Sequence, residues 1–290
     1  SRQMKIEPKR GPLFVSRGQE LTQLNTILQT VIQNQHPQFV FIQGEFGVGK
    51  TFLVEQFLEQ ISANEQNLFI GRSKCAMETE LNGLTPFSQL LSSLGEQVAL
   101  QRLFSANLWN FIKEVAPAWL DIVSLGAAGA TVKTVEEGKK LAGSSSSFTR
   151  ENVFVQYTNA LTKLASKRPV VAFIDDLHWI DSSSLGLLFH LGRNLENCSV
   201  MLIGTYRPTA ALESSSNASF FSEVKANLIR YGAIEIFLQE GLAVSDYISK
   251  RYPINEFPEK FIDEVDELTG GHALFITELF TLWEQQGVIT

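Results

Sequence analysis

The sequence predicts an α/β fold, a central parallel five-stranded sheet covered by helices on both faces, with a small C-terminal helical subdomain. Near-continuous apolar runs recur at Phe39-Val40-Phe41-Ile42, Val170-Val171-Ala172-Phe173-Ile174 and Val200-Met201-Leu202-Ile203. Strands apolar on both sides belong to a sheet buried on both faces. Apolar residues at helical spacing separate the runs, the alternation that parallel crossovers require. Directly after the first run stands Gly44-Glu45-Phe46-Gly47-Val48-Gly49-Lys50-Thr51, a complete phosphate-binding loop. Leu53, Val54, Phe57, Leu58 and Ile61 follow at helical spacing, so strand, loop and amphipathic helix succeed one another as the loop's mechanism requires.

Residues 1–12, with Lys5, Lys9, Arg10, Pro8 and Pro12, read as an extended linker to a domain outside this chain. Leu21, Leu24, Ile27, Leu28, Val31 and Ile32 predict a first helix that ends before His36-Pro37. The phosphate-loop strand comes next, and a second strand is predicted over residues 67–72, around Leu68-Phe69-Ile70. Phe87, Leu90, Leu91, Leu94, Val98, Leu100 and Leu103 predict helices within an insertion spanning about residues 85–150. Inside it, residues 126–147 carry Gly126, Gly129, Gly138, Gly143 and the serines 144–147, which predicts a mobile connector.

A helix resumes at Arg150 with Val153, Phe154, Tyr157, Leu161 and Leu164 inward. The third strand, a helix striped by Leu185, Leu188, Leu191 and Leu195, and the fourth strand follow; Ile234-Glu235-Ile236-Phe237 is the fifth. These elements assign residues 13–240 to the α/β domain and residues 241–290 to the helical subdomain, with no internal repeat.

A chain of 290 residues with 44% hydrophobic content can bury a sizeable core. Its formal charge of -7 weighs against direct nucleic-acid binding by this chain, since that needs basic clusters to displace counterions. The two cysteines, Cys75 and Cys198, have neither metal-site nor redox spacing and read as small buried hydrophobes. No apolar run reaches the roughly 18 residues of a membrane span and no signal segment opens the chain, so the expectation is a cytoplasmic protein without membrane contact. A start at Ser1 and an uncapped end at Gly287-Val288-Ile289-Thr290 lead us to expect a piece of something longer.

The loop's chemistry points to a nucleoside triphosphate with magnesium. Successive backbone N–H groups curl around phosphates, and the helix that follows aims its positive end at them. Lys50 reaches the β and γ oxygens, and the Thr51 hydroxyl suits a magnesium ion, which prefers oxygen ligands. No N-K-x-D segment occurs, which disfavours guanine. Nucleotide contacts are therefore expected from Gly44, Glu45, Phe46, Gly47, Val48, Gly49, Lys50, Thr51 and the adjoining Phe52.

At the end of the third strand stands Phe173-Ile174-Asp175-Asp176-Leu177-His178-Trp179-Ile180-Asp181, on the same rim as the loop. Asp175 fits a magnesium ligand acting through water, and Asp176 fits the orientation of an attacking water, with a solvated helix cap as the alternative for either. Asp181, ahead of Ser182-Ser183-Ser184, is expected to cap the next helix. His178 either contacts the nucleotide or fixes the loop. Gly204-Thr205-Tyr206-Arg207-Pro208 brings a polar residue and a cation to the rim, and the Arg207 guanidinium suits a γ-phosphate unless it is a surface arginine in a turn. The catalytic candidates are thus Lys50, Asp175, Asp176 and Arg207, and the metal candidates Thr51 and Asp175.

Together these residues resemble the STAND-type regulatory ATPases of the AAA-related P-loop group, in the manner of bacterial ATPase modules fused to LuxR-type activators, class III adenylate cyclases and serine/threonine kinases. Phe14-Val15-Ser16-Arg17-Gly18-Gln19-Glu20-Leu21 is similar to a family segment that lies against adenine, which implies adenine contacts for Phe14, Val15 and Arg17. Ser16 stands where relatives carry glycine. Lys50, Thr51, the Asp175-Asp176-Leu177-His178-Trp179 run and Arg207 each match a family motif without a gap. Leu268-Thr269-Gly270-Gly271-His272-Ala273-Leu274-Phe275 is similar to the segment that opens the last helix of the helical subdomain, with His272 for asparagine and Ala273 for proline; this implies a nucleotide contact for His272.

The resemblance implies a P-loop NTPase fold, ATP or ADP with Mg2+ as ligands, a winged-helix region beyond the chain, effector domains attached elsewhere, and nucleotide-dependent homo-oligomers. The expected activity is slow ATP hydrolysis in a switch that serves signalling or transcriptional control. Two alternatives stand beside it: a scaffold that holds ATP or ADP and never cycles, and a DNA-associated ATPase resembling the origin-recognition group.

Overall fold

The computed structural model describes residues 17–64, 67–76, 83–100, 119, 150–208, 218–238, 244–253, 255 and 257–289. The expected linker 1–12, the adenine-segment residues Phe14 and Val15, the helices expected from 101 to 118 and the expected connector 126–147 lie outside the described residues.

In chain order the elements are α1 (Gly18–Asn34), β1 (Gln38–Gln43), α2 (Lys50–Asn64), β2 (Phe69–Lys74), α3 (Thr85–Leu100), α4 (Arg150–Ala165), β3 (Val170–Asp175), a 3-10 turn (Leu177–Trp179), α5 (Ser182–Asn194), β4 (Val200–Tyr206), α6 (Ala218–Arg230), β5 (Ile234–Phe237), α7 (Val244–Arg251), α8 (Glu259–Thr269) and α9 (Ala273–Gln285). The strands form one five-stranded sheet in the order β2-β3-β4-β1-β5. Every pairing is parallel, so all strands end on one rim.

Burial follows the two-residue period of a strand. Val40, Ile42, Val171, Phe173, Met201 and Ile203 face a core completed by α1 and α2, while Phe39, Phe41, Val170, Ala172, Val200 and Leu202 face one completed by α3, α4, α5 and α6. Asp181 caps α5, its carboxylate accepting from the backbone N–H groups of Ser183 and Ser184 at 3.0 and 2.9 Å. At the other end of the chain α7, α8 and α9 enclose a core of their own, built on Tyr247, Ile248, Tyr252, Val265, Ile276 and Phe280. Arg251 clamps Glu284 through two hydrogen bonds of 2.9 and 2.6 Å, tying α7 to α9.

Two strand ends matter for the rim, and the first departs from the expectation. β2 runs two residues later than the apolar run Leu68-Phe69-Ile70 indicates, because its polar half pairs in register with β3 as far as Lys74 opposite Asp175. β4 ends within the expected Gly204-Thr205-Tyr206 stretch, these residues being paired with Phe41, Ile42 and Gln43 and buried throughout. Backbone pairing with β1 carries these residues into the sheet, and Gly204 pairs with Ile174 of β3 as well.

Candidate functional site

The rim presents Lys74, Asp175, Thr205 and the start of the phosphate loop side by side, following the strand order. The loop begins where the Gly44 N–H donates to the Tyr206 carbonyl at 3.3 Å, just past the last β1–β4 pair. Gly44 has no room for a side chain, since a Cβ there would lie 2.6 Å from Val48 Cγ1 and 3.2 Å from the Leu238 carbonyl oxygen. Gly47 and Gly49 turn the loop at φ +79° and +95°, a region that L side chains rarely enter.

Lys50 opens α2 and is 7% exposed. Its ammonium donates to the Gly44 carbonyl at 2.8 Å and to the Glu45 carbonyl at 2.7 Å, so the loop's own oxygens hold the charge inside its curve. Burial, and then the neighbouring Arg207 cation, push the Lys50 pKa below its usual value, against the opposing pull of Asp176, Asp175 and Glu45. The expected adenine-segment residue Arg17 reaches the same loop, donating to the Val48 carbonyl at 3.4 Å while pairing with Glu20 at 3.3 Å. Phe52 lies in the first turn of α2, half-buried.

Thr51 and Asp175 meet across the site. The Thr51 hydroxyl lies 3.0 Å from each Asp175 carboxylate oxygen, and the Thr205 hydroxyl donates to Oδ1 of the same carboxylate at 2.5 Å. Asp175 is 4% exposed, and these hydroxyls supply partners that a buried carboxylate needs. Thr205 uses its oxygen twice, since it also accepts from the Asp176 backbone N–H at 3.0 Å. One hydroxyl on β4 therefore fixes both aspartates.

Asp176 sits in the left-handed region at φ 58° and ψ 46° and makes no side-chain cap to the 3-10 turn, contrary to the helix-cap alternative. Leu177 packs against Gly204, where a Cβ would collide with its side chain, and this seats the turn on β4. The freed Asp176 carboxylate faces Lys74 at 3.1 Å. His178, 3.9 Å from Asp176, is buried with neither ring nitrogen hydrogen-bonded. Burial first, then the Arg207, Lys50 and Lys74 cations, lower its pKa to about 4 against the opposing Asp176, so the ring is neutral at physiological pH.

Arg207, just past the end of β4, lies with its guanidinium carbon 4.7 Å from the centroid of the Phe46 ring. His272 precedes α9, with its ring 5.2 Å from that of Phe275. Two residues on, the Leu274 N–H donates to the Gly47 carbonyl at 3.3 Å, so the helical unit rests on the phosphate loop. The structure thus gathers the loop, Lys50, Thr51, Asp175, Asp176, Arg207 and Arg17 at one mouth and brings the His272 segment to its edge.

This donor set fits a nucleoside triphosphate and a magnesium ion. Lys50 offers an ammonium already seated in the concavity, and Thr51 with Asp175 presents the oxygen donors that magnesium prefers. Two members escaped sequence reasoning, Thr205 and Lys74. Thr205 was legible only as a polar residue near the rim; its role depends on β4 continuing past Ile203. Lys74 sits beyond the apolar run that marked β2, and nothing in that run signals a strand long enough to bring it beside Asp175.

Over 289 residues the chain is 27% identical to an uncharacterized protein of Rhizobium meliloti (strain 1021), a match covering 96% of this chain and 26% of that relative. The chain therefore spans about a quarter of that relative's length. Among solved structures it resembles a Walker-type ATPase of Pyrococcus abyssi, with a TM-score of 0.56 at 17% identity over 98% of this chain and 71% of the other. It also resembles Cdc6p from Pyrobaculum aerophilum, with a TM-score of 0.54 at 12% identity over 96% of this chain and 65% of the other. At those identities the two structures speak for the fold alone, an AAA-type P-loop architecture. A family model describing the AAA ATPase domain matches residues 13–203, from the segment ahead of α1 to within β4, and the chain belongs to that family.

Proposed function

We propose that the chain binds ATP with magnesium, hydrolyses it slowly, and acts as a nucleotide-dependent switch for signalling or transcriptional control within a larger protein. The observation that carries this reading is the hydrogen bond from the Leu274 N–H to the Gly47 carbonyl. A loop that must rearrange around phosphates is held by the helical unit, so nucleotide state and the position of α7–α9 are linked. The length of the Rhizobium relative supports a setting with further effector domains.

In this reading Lys50 exchanges its loop carbonyls for phosphate oxygens. Thr51 and Asp175 would hold the magnesium, and the Thr205 hydroxyl fixes the Asp175 carboxylate. The ion supplies neutralisation of phosphate charge. Asp176 orients the attacking water, Arg207 contacts the γ-phosphate, and His272 approaches the nucleotide from the helical unit. Turnover is slow for two reasons. Lys74 occupies the Asp176 carboxylate, and aspartate reaches one methylene less far than glutamate, where a displacement of about 1 Å can cost on the order of 100-fold. A cation from a neighbouring copy in a homo-oligomer would complete the charge stabilisation.

The Lys74–Asp176 pair also favours a second reading, a scaffold that holds ATP or ADP and never cycles. Phosphate release by Asp176→Asn separates the two. A fall of at least 10-fold from the wild-type rate supports the switch, and a rate equal to the wild type's supports the scaffold.

A further inference from the structure

We propose that Phe46 limits the preference of this site for a triphosphate over a diphosphate, by holding Arg207 on its ring until a γ-phosphate draws the arginine away. The inference rests on the ATP-binding reading above.

Phe46 is the third residue of the phosphate loop and is 57% exposed. Arg207 leaves β4 directly beside the start of that loop, because Gln43 and Tyr206 are paired and the Gly44 N–H bonds the Tyr206 carbonyl. The guanidinium carbon comes to rest 4.7 Å from the ring centroid, within the range where the negative face of an aromatic ring attracts a cation.

Two cations converge on one loop here, and each has a different partner. Lys50 is held by the Gly44 and Glu45 carbonyls, and Arg207 by the Phe46 face. Both cations border the same loop, so the ring stabilises the arginine in a place where the like charge of Lys50 would otherwise repel it. A diphosphate fills the loop and answers Lys50 while leaving Arg207 on the ring. A triphosphate takes both cations. The cation–π contact is thus broken only in the triphosphate state, and its strength is subtracted from triphosphate affinity alone. Leucine at position 46 keeps an apolar side chain and removes the ring's quadrupole; tryptophan strengthens it.

The test measures dissociation constants for ADP and a non-hydrolysable ATP analogue, each with magnesium, on the wild type, Phe46→Leu and Phe46→Trp. Relative to ADP, Phe46→Leu should tighten the ATP analogue by about 2- to 5-fold, and Phe46→Trp should weaken it. In nucleotide-free protein, the emission contributed by Phe46→Trp should change when Arg207→Gln is added. An equal shift for both nucleotides in Phe46→Leu, or an indole that Arg207→Gln leaves unaltered, overturns the inference while the ATP reading stands. A wild type that binds neither nucleotide overturns both.

Discussion

Lys74 at the end of β2 sets its ammonium 3.1 Å from Asp176 Oδ2 and 3.7 Å from Asp175 Oδ2, so a strand two positions from β4 supplies a counter-charge to both acidic residues of the site. The pairing of Lys74 with Asp175 in the β2–β3 ladder fixes this arrangement. Hydrogen bonding to Asp176 in turn raises the Lys74 pKa, so the cation stays charged across the physiological range. Lys74 is largely exposed, and a pair of this kind contributes only about 0.2–1 kcal/mol.

Releasing Asp176 from that pair should speed the reaction. Lys74→Met is expected to raise single-turnover phosphate release by about 2- to 5-fold, the rate equivalent of the exposed pair, with ATP affinity little changed. Rapid-mixing phosphate detection measures it. A fall in rate would show that Lys74 assists the reaction and does not restrain Asp176.

Thr205→Val removes the hydroxyl that joins Asp175 to the Asp176 backbone while keeping shape. Thr205 is fully buried, so the orphaned partners should cost about 1–3 kcal/mol of stability in urea unfolding. The magnesium concentration that supports half-maximal nucleotide binding should rise, and Thr205→Ser should restore most of both losses.

Much of this fold can be read from residues 39–42, 170–174 and 200–203, because a strand buried on both faces leaves a run of apolar residues. The phosphate loop, Asp175, Asp176 and Arg207 were legible for another reason, since loop chemistry and strand ends carry local signatures. Thr205 and Lys74 were not, because polar residues at strand ends take their places from ladder register, which couples positions about 30 and 100 residues apart. The contact of Leu274 with Gly47 is likewise non-local. The resemblance drew attention to His272, and the hydrogen bond to the loop is made two residues later.

Stability should depend on pH through His178. Its native pKa is lowered from 6.5 to about 4, chiefly by burial. Between those values the unfolded chain binds a proton that the native protein does not. The contribution is therefore fully present above pH 6.5 and is lost as pH falls toward 4, on the order of 2 kcal/mol by about pH 5. Urea midpoints at about pH 7.5 and pH 5 should differ less in His178→Gln than in the wild type. Equal differences would assign the acid sensitivity to other groups.

Leu274→Asp places a carboxylate where the side chain now lies against Gly47, 3.1 Å from the position a Cβ would take there. The helical unit should separate from the loop. Hydrogen exchange at residues 44–49 should rise, and bound nucleotide should dissociate several-fold faster. Unchanged exchange would mean that the contact does not hold the loop.

The most direct test is calorimetry with ATP, ADP and GTP, each with magnesium, on the wild type and on Lys50→Ala. Binding of ATP and ADP but not GTP, abolished by Lys50→Ala in protein that remains folded, is the predicted result. Well-folded wild type that takes up no adenine nucleotide, or binding that survives Lys50→Ala undiminished, would contradict the assignment of this loop as the switch's nucleotide site.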